Sequence, residues 1–163
     1  MTFAALNIVV EGEDAMLQLG AKLASRLVSG MLVYLEGELG MGKTTLARGI
    51  IQSLGHSGAV KSPTYTIVEP YELAALTVYH FDLYRLEQAQ ELEFMGVRDY
   101  FDGSSVCLIE WPERGKGVLP SADIVITIER ENVGRLVIFR SHTALGEQLV
   151  QWMAETVTPA GVE

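Results

Sequence analysis

The nine residues Gly37-Glu38-Leu39-Gly40-Met41-Gly42-Lys43-Thr44-Thr45 constrain this chain more than any other stretch. They satisfy G-x-x-x-x-G-K-[ST], a loop whose backbone N–H groups wrap around phosphate oxygens. Glycines let those groups turn inward without Cβ clashes. Lys43 is placed to reach β- and γ-phosphates, and the Thr44 hydroxyl to ligate Mg2+. The flanks match as well. Met31-Leu32-Val33-Tyr34-Leu35 is an apolar run suited to a buried parallel strand. Leu46, Ala47, Ile50, Ile51 and Leu54 form one helical stripe that Gly55 ends. Strand, loop and helix in that order aim the positive end of the helix at the anion. A chance match in a glycine-rich turn would lack this setting.

At 163 residues the chain is expected to form a single domain over residues 1–155, with a frayed tail over residues 156–163. Its net charge of -9 gives it no general attraction to nucleic acid or anionic membrane. Any RNA in its biology must then be held by something else. No apolar run reaches the ~18 residues of a membrane span. The start, Met1-Thr2-Phe3-Ala4-Ala5-Leu6, lacks the basic region of a signal peptide. Cys107 is the single cysteine, which excludes an internal disulfide and fits a reducing cytoplasm.

Residues 7–10 read as a first strand. Acids from Glu11 to Asp14 open a helix whose stripe of Leu19, Leu23 and Leu27 runs on to Ser29-Gly30. Alternatively, backbone near Gly12 and Glu13 borders a nucleotide base. Beyond the loop helix comes Lys61-Ser62-Pro63-Thr64-Tyr65-Thr66, where Pro63 pushes Ser62 out of helical conformation. This is either a plain Ser-Pro turn or a switch whose hydroxyls sense a γ-phosphate or a Mg2+-bound water. Residues 65–71 and 76–82 read as a hairpin, with Pro70 keeping its strand near an edge. Its second arm leads into His80-Phe81-Asp82-Leu83-Tyr84-Arg85. At period two, His80, Asp82 and Tyr84 share a face. If that face meets phosphates, Asp82 binds Mg2+ through water or positions the attacking water; otherwise it is a solvated strand face. Arg85 is expected to lock the hairpin through an acidic neighbour.

Residues 88–94 read as a short acidic helix that Gly96 stops. Residues 105–109 form a second fully apolar strand, ended by Glu110-Trp111-Pro112-Glu113. Parallel sheets place ligands outside such strand ends. Glu110 is the expected second Mg2+ anchor opposite Thr44, where most relatives of the fold carry Asp. Trp111 is either a core aromatic or a plate against the nucleotide; Glu113 is either a base or a cap for the turn before Gly115. Cys107 reads as a buried small hydrophobe, and His56 and His142 carry no chemistry. Residues 124–129 and 136–140 alternate around Asn132-Val133-Gly134 as an antiparallel hairpin, and Leu145, Leu149 and Trp152 are one face of a last helix.

Together these motifs resemble the bacterial TsaE (YjeE) ATPases, which help make threonylcarbamoyladenosine next to the anticodon of tRNAs. The resemblance spans roughly residues 8–153 and rests on the phosphate loop, Ser62-Pro63-Thr64-Tyr65, His80-Phe81-Asp82-Leu83-Tyr84-Arg85 and Ile109-Glu110-Trp111-Pro112-Glu113. Glu91-Leu92-Glu93-Phe94-Met95-Gly96 also resembles an acidic, leucine-rich region of the family. It implies a three-layer α/β fold of the phosphate-loop NTPases, with a mainly parallel central sheet and antiparallel hairpin additions. It implies that Lys43 grips the phosphates, that Thr44 and Glu110 bind Mg2+, and that Asp82 lies near the metal and is needed for hydrolysis. The nucleotide contacts then run over Glu38, Leu39, Gly40, Met41, Gly42, Lys43, Thr44 and Thr45. Gly12, Glu13, Thr64, Trp111 and Glu113 join them. ATP is the implied substrate, Mg2+ the cofactor, and a TsaD-like and a TsaB-like protein the partners that hold the tRNA. A small-molecule kinase on the same fold is the rival, but no segment between Gly96 and Ser121 reads as an arginine-bearing lid. The N-K-x-D of guanine-specific members is missing.

Overall fold

The two apolar runs lie side by side. Strands β2 (Leu32–Glu36) and β5 (Val106–Glu110) pair in parallel at the centre of the sheet. The computed structural model describes residues 4–157. Within them a seven-stranded sheet has the order β1-β7-β6-β2-β5-β4-β3, adding β1 (Ala5–Val10), β3 (Val68–Glu72), β4 (Thr77–Asp82), β6 (Ile124–Glu131) and β7 (Gly134–Ser141). The four inner strands β6, β2, β5 and β4 run parallel. The flanks are antiparallel: β1 and β6 each pair with β7, and β3 pairs with β4. Pro70 sits on the outermost strand, β3, where a missing N–H costs no ladder bond.

All five residues of β5 are buried because both faces of the sheet are covered. On one face lie α1 (Glu13–Ala24), α2 (Lys43–Ser53) and α4 (Ala144–Thr156), packed on Val33, Leu35, Val106, Leu108 and Ile126. On the other, Phe81, Leu83, Cys107 and Ile109 meet α3 (Gln90–Phe94) through Leu92 and a 3₁₀ turn (Val97–Phe101) through Val97. The result is a three-layer α/β fold. Helices α1 and α2 touch through their backbones, since a Cβ on Gly49 would lie 2.4 Å from the Leu17 carbonyl oxygen. That contact fixes α2, and with it the phosphate loop, against α1.

Among the boundaries that differ from the sequence expectation are those at the end of α1, the start of the β3–β4 hairpin and the C-terminal tail. Helix α1 stops at Ala24, not at Ser29-Gly30: the Ser25 hydroxyl donates to the Lys22 carbonyl (2.7 Å). The N–H groups of Ser25, Arg26 and Leu27 bond carbonyls three residues back, tightening the last turn. Leu27 stays buried as expected. The hairpin's first arm starts at Val68, because residues 65–67 turn instead of extending. Ile67 has φ 72°, its N–H bonds the Pro63 carbonyl (2.6 Å), and its carbonyl accepts from Asp82 N–H (2.8 Å). At the other end, Thr156 is the last residue of α4 and Val157 follows it in extended conformation; residues 158–163 of the expected tail lie outside the described residues.

Candidate active site

Strands β2, β4 and β5 all end at one edge of the sheet, and the polar motifs converge there. The phosphate loop leaves β2 at Gly37 and enters α2 at Lys43 through Gly42, whose φ of 114° a side chain would disfavour. Thr44, in the first turn of α2, donates from Oγ1 to both oxygens of Glu110, at 3.0 and 3.2 Å. The register pairs Asp82 with Glu110 across β4 and β5, which puts His80, Asp82 and Glu110 on the face covered by α2. His80 is fully buried and Asp82 nearly so, which excludes a solvated strand face.

Each carboxylate is held by specific groups. Glu110 Oε2 lies 2.7 Å from His80 Nε2, while His80 Nδ1 is buried with no partner among the described residues. Asp82 Oδ2 accepts from the Ser62 hydroxyl (2.6 Å) and the Thr64 hydroxyl (2.9 Å); Oδ1 accepts from Tyr84 N–H (3.0 Å). Lys43 Nζ donates to the Gly37 carbonyl and lies 3.5 Å from the centre of the Trp111 ring. Burial lowers the Lys43 pKa below the usual lysine value, and the opposing pull comes from Glu110, Glu113, Asp82 and Glu38. Trp111 itself is half-buried with φ 58°, its ring 5.0 Å from that of Tyr84.

These groups surround a cavity of about 380 Å³, lined among others by Leu39, Gly40, Thr45, Thr64 and Trp111. A second cavity of about 330 Å³ shares Gly40, Gly42 and Thr45 with it and extends to Gly12, Glu13 and Met41. Glu13 also pairs with Arg48 of α2. Glu38 and Glu113 are not on either: they line a third cavity on the far side of Trp111. Glu113 therefore borders the phosphate loop from the side of Gly37 and Met41, across Trp111 from the cavity that Asp82 and Glu110 line.

Thr44, Glu110 and Asp82 offer hard oxygen donors, and Glu110 is a buried carboxylate whose partners are a hydroxyl and an imidazole. This set suits Mg2+, which takes one or two carboxylates and completes its shell with water and substrate phosphates. No cluster of three or more His, Cys, Asp or Glu side chains suited to a metal occurs among the described residues.

Three residues gain a place that the sequence reading did not give them. Ser62 is the closest hydroxyl to Asp82, and His80 is the partner of Glu110. Arg135, at the start of β7, bonds the phosphate-loop carbonyls of Met41 (3.1 Å) and Gly40 (3.4 Å). Nothing local in the sequence marks that last contact. Arg85 has a partner other than the acid expected: its guanidinium lies 4.2 Å from the Tyr65 ring centre and bonds the Tyr65 hydroxyl (3.0 Å).

Comparison with known proteins agrees on one family. A family model described as threonylcarbamoyl adenosine biosynthesis protein TsaE matches residues 10–137. The chain is 49% identical over 150 residues to the tRNA threonylcarbamoyladenosine biosynthesis protein TsaE of Haemophilus influenzae, covering 89% of this chain and 95% of that one. The Bacillus subtilis protein of the same name is 41% identical, with 68% of this chain and 69% of that one aligned. The crystal structure of Bacillus subtilis YdiB superposes with a TM-score of 0.82 at 27% identity, over 96% of this chain and 98% of that one.

Proposed function

That the chain belongs to the TsaE family, whose proteins act in tRNA threonylcarbamoyladenosine biosynthesis, is the premise from which we propose that it is a Mg2+-dependent ATPase. The observation that carries this reading is the Thr44–Glu110 contact, which joins the phosphate loop to the end of β5 beside Lys43. In this reading the loop N–H groups and the start of α2 bind the β-phosphate. Lys43 exchanges the Gly37 carbonyl for a γ-phosphate oxygen. Thr44 and Glu110 would hold Mg2+, with Asp82 beside them; when bound, the metal would supply positive charge against the phosphates. His80 keeps the Glu110 carboxylate turned toward Thr44.

Asp82 has a second task. While Ser62 and Thr64 both donate to Oδ2, that oxygen is occupied. A γ-phosphate that draws the two hydroxyls away frees Oδ2 to orient the attacking water, which couples the switch segment to hydrolysis. Trp111 walls the cavity next to Lys43 and limits water there. Gly12, Glu13 and Met41, one cavity further on, border the nucleoside; Glu38 and Glu113 act on Lys43 only through their charge.

The protein works in the cytoplasm with a TsaD-like and a TsaB-like partner. Its acidic balance leaves the tRNA to them, and no helix among the described residues is long and apolar enough to cross a membrane. The test is phosphate release from ATP with and without Mg2+, with no acceptor added, and then with a TsaD–TsaB complex. Mg2+-dependent release without acceptor supports the ATPase. Turnover only on adding a small-molecule acceptor would make it a kinase instead.

A further inference from the structure

Arg135 turns its guanidinium back onto the phosphate loop, and among the described residues it forms no ion pair. Nε donates to the Met41 carbonyl (3.1 Å), Nη2 to the Gly40 carbonyl (3.4 Å) and Nη1 to the Gly134 carbonyl (2.9 Å). A cation whose acceptors are three neutral carbonyls, two of them in the loop, has been spent on the loop's backbone. In a trans peptide the C=O and N–H point in opposite directions. The Met41 carbonyl shares its peptide with the N–H of Gly42, and the Gly40 carbonyl with that of Met41. Anchoring both carbonyls on one rigid fork therefore fixes the direction of two of the N–H groups a phosphate would meet. Charge-assisted bonds to those carbonyls also polarise the peptides, strengthening the N–H donors on the opposite side.

We propose that Arg135 is a positioning residue for phosphate binding: it aims and polarises the Met41 and Gly42 peptides, and so raises affinity for the β-phosphate without touching it. The role rests on the nucleotide-binding reading above and extends it to the β6–β7 hairpin. In the ligand-free loop Met41 N–H bonds the Glu38 carbonyl at 3.3 Å, a long bond, so the Gly42 peptide carries most of the effect. Lysine cannot replace the fork, because one ammonium cannot hold two carbonyls in a fixed plane.

The experiment is displacement of a fluorescent ADP analogue by ADP and by AMP, for the wild type and for Arg135→Ala, Arg135→Gln and Arg135→Lys. Thermal unfolding without ligand is recorded alongside. Losing charge-assisted bonds should weaken ADP binding by about 10- to 100-fold. AMP, which lacks the β-phosphate, should weaken by less than about threefold. Arg135→Lys should fall between. Should Arg135→Ala fail to fold, Arg135→Gln, which keeps a donor without the charge, carries the same comparison. Unchanged ADP affinity, or equal losses for ADP and AMP, would overturn the role and leave Arg135 as a structural tie. A wild type that binds no ADP would instead overturn the nucleotide reading itself.

Discussion

His80 and Glu110 meet at 2.7 Å, Nε2 to Oε2, with the imidazole fully buried and the carboxylate residue only 2% exposed. Together with the Thr44 hydroxyl this is the whole set of hydrogen-bond partners of the Glu110 carboxylate among the described residues. Removing Thr44 leaves Oε1 with no partner, and removing His80 leaves both oxygens to share the single proton of the Thr44 hydroxyl. Replacing His80 by Leu should lower stability by about 1–3 kcal/mol, the usual cost of taking a hydrogen bond from a buried charged group. Urea unfolding of the ligand-free protein measures this, and Mg2+ with ADP should recover part of the loss by supplying a new partner for Glu110. An unfolding midpoint equal to that of the wild type would show that the pair contributes nothing to folding.

Glu110→Gln keeps the shape of the side chain and its contact with Thr44 but discards the charge. Phosphate release by the variant should require at least about tenfold more Mg2+, on the scale of one lost charge contact. A titration of rate against Mg2+ decides it. An unchanged midpoint would move the metal anchor to Asp82, the other carboxylate on the same cavity.

Lys43→Met should separate function from stability. The rate should fall by at least about 10²- to 10³-fold, since a preorganised charge at the γ-phosphate is lost. Ligand-free stability should hold or rise. Burial lowers the Lys43 pKa below 10.5, so between the folded and unfolded values the unfolded chain binds more protons. Stability therefore rises with pH through that window, and below it the ammonium is a net cost to folding. The Met variant should lose this pH dependence; a large drop in its melting temperature at neutral pH would reverse the sign of the argument.

What the sequence made legible was local. The phosphate loop, β2, α2 and β5 could be read directly because a nine-residue spacing and two apolar runs carry their own geometry. The pairing of Thr44 with Glu110 could be expected as well, since a strand end opposite the loop is where a parallel sheet gathers its ligands. What escaped depends on the fold of distant segments. Arg135 is 94 residues from Met41, and only the β1–β7–β6 order brings them together. Glu113 follows Glu110 by three positions, yet the left-handed turn at Trp111 sends it to another cavity. Helix α1 ends in a turn of bonds to carbonyls three residues back, against an apolar stripe that still reads as helix at Leu27.

The last prediction concerns rate. An arginine beside the γ-phosphate is worth about 10³- to 10⁵-fold in phosphoryl transfer. The cavity that Lys43 lines has no arginine among the described residues, and Arg135 lines the neighbouring cavity beside Gly40, Met41 and Gly42. Arg135 faces the backbone of the loop, and Arg85 is engaged with Tyr65, one residue beyond Thr64 of the switch segment. The isolated protein thus lacks a finger and should hydrolyse ATP slowly. A partner can raise the rate in two ways: by inserting its own arginine, or by drawing Tyr65 away so that Arg85 is released toward the phosphates. The two separate in one experiment, turnover with a TsaD–TsaB complex for the wild type, Tyr65→Ala and Arg85→Ala. If the partner supplies the charge, Arg85→Ala should retain the stimulation. If Arg85 is released, Arg85→Ala should abolish stimulation, and Tyr65→Ala should raise the rate of the protein alone. Fast turnover by the unaccompanied wild type, unchanged by the complex, would contradict both and make this a self-sufficient enzyme.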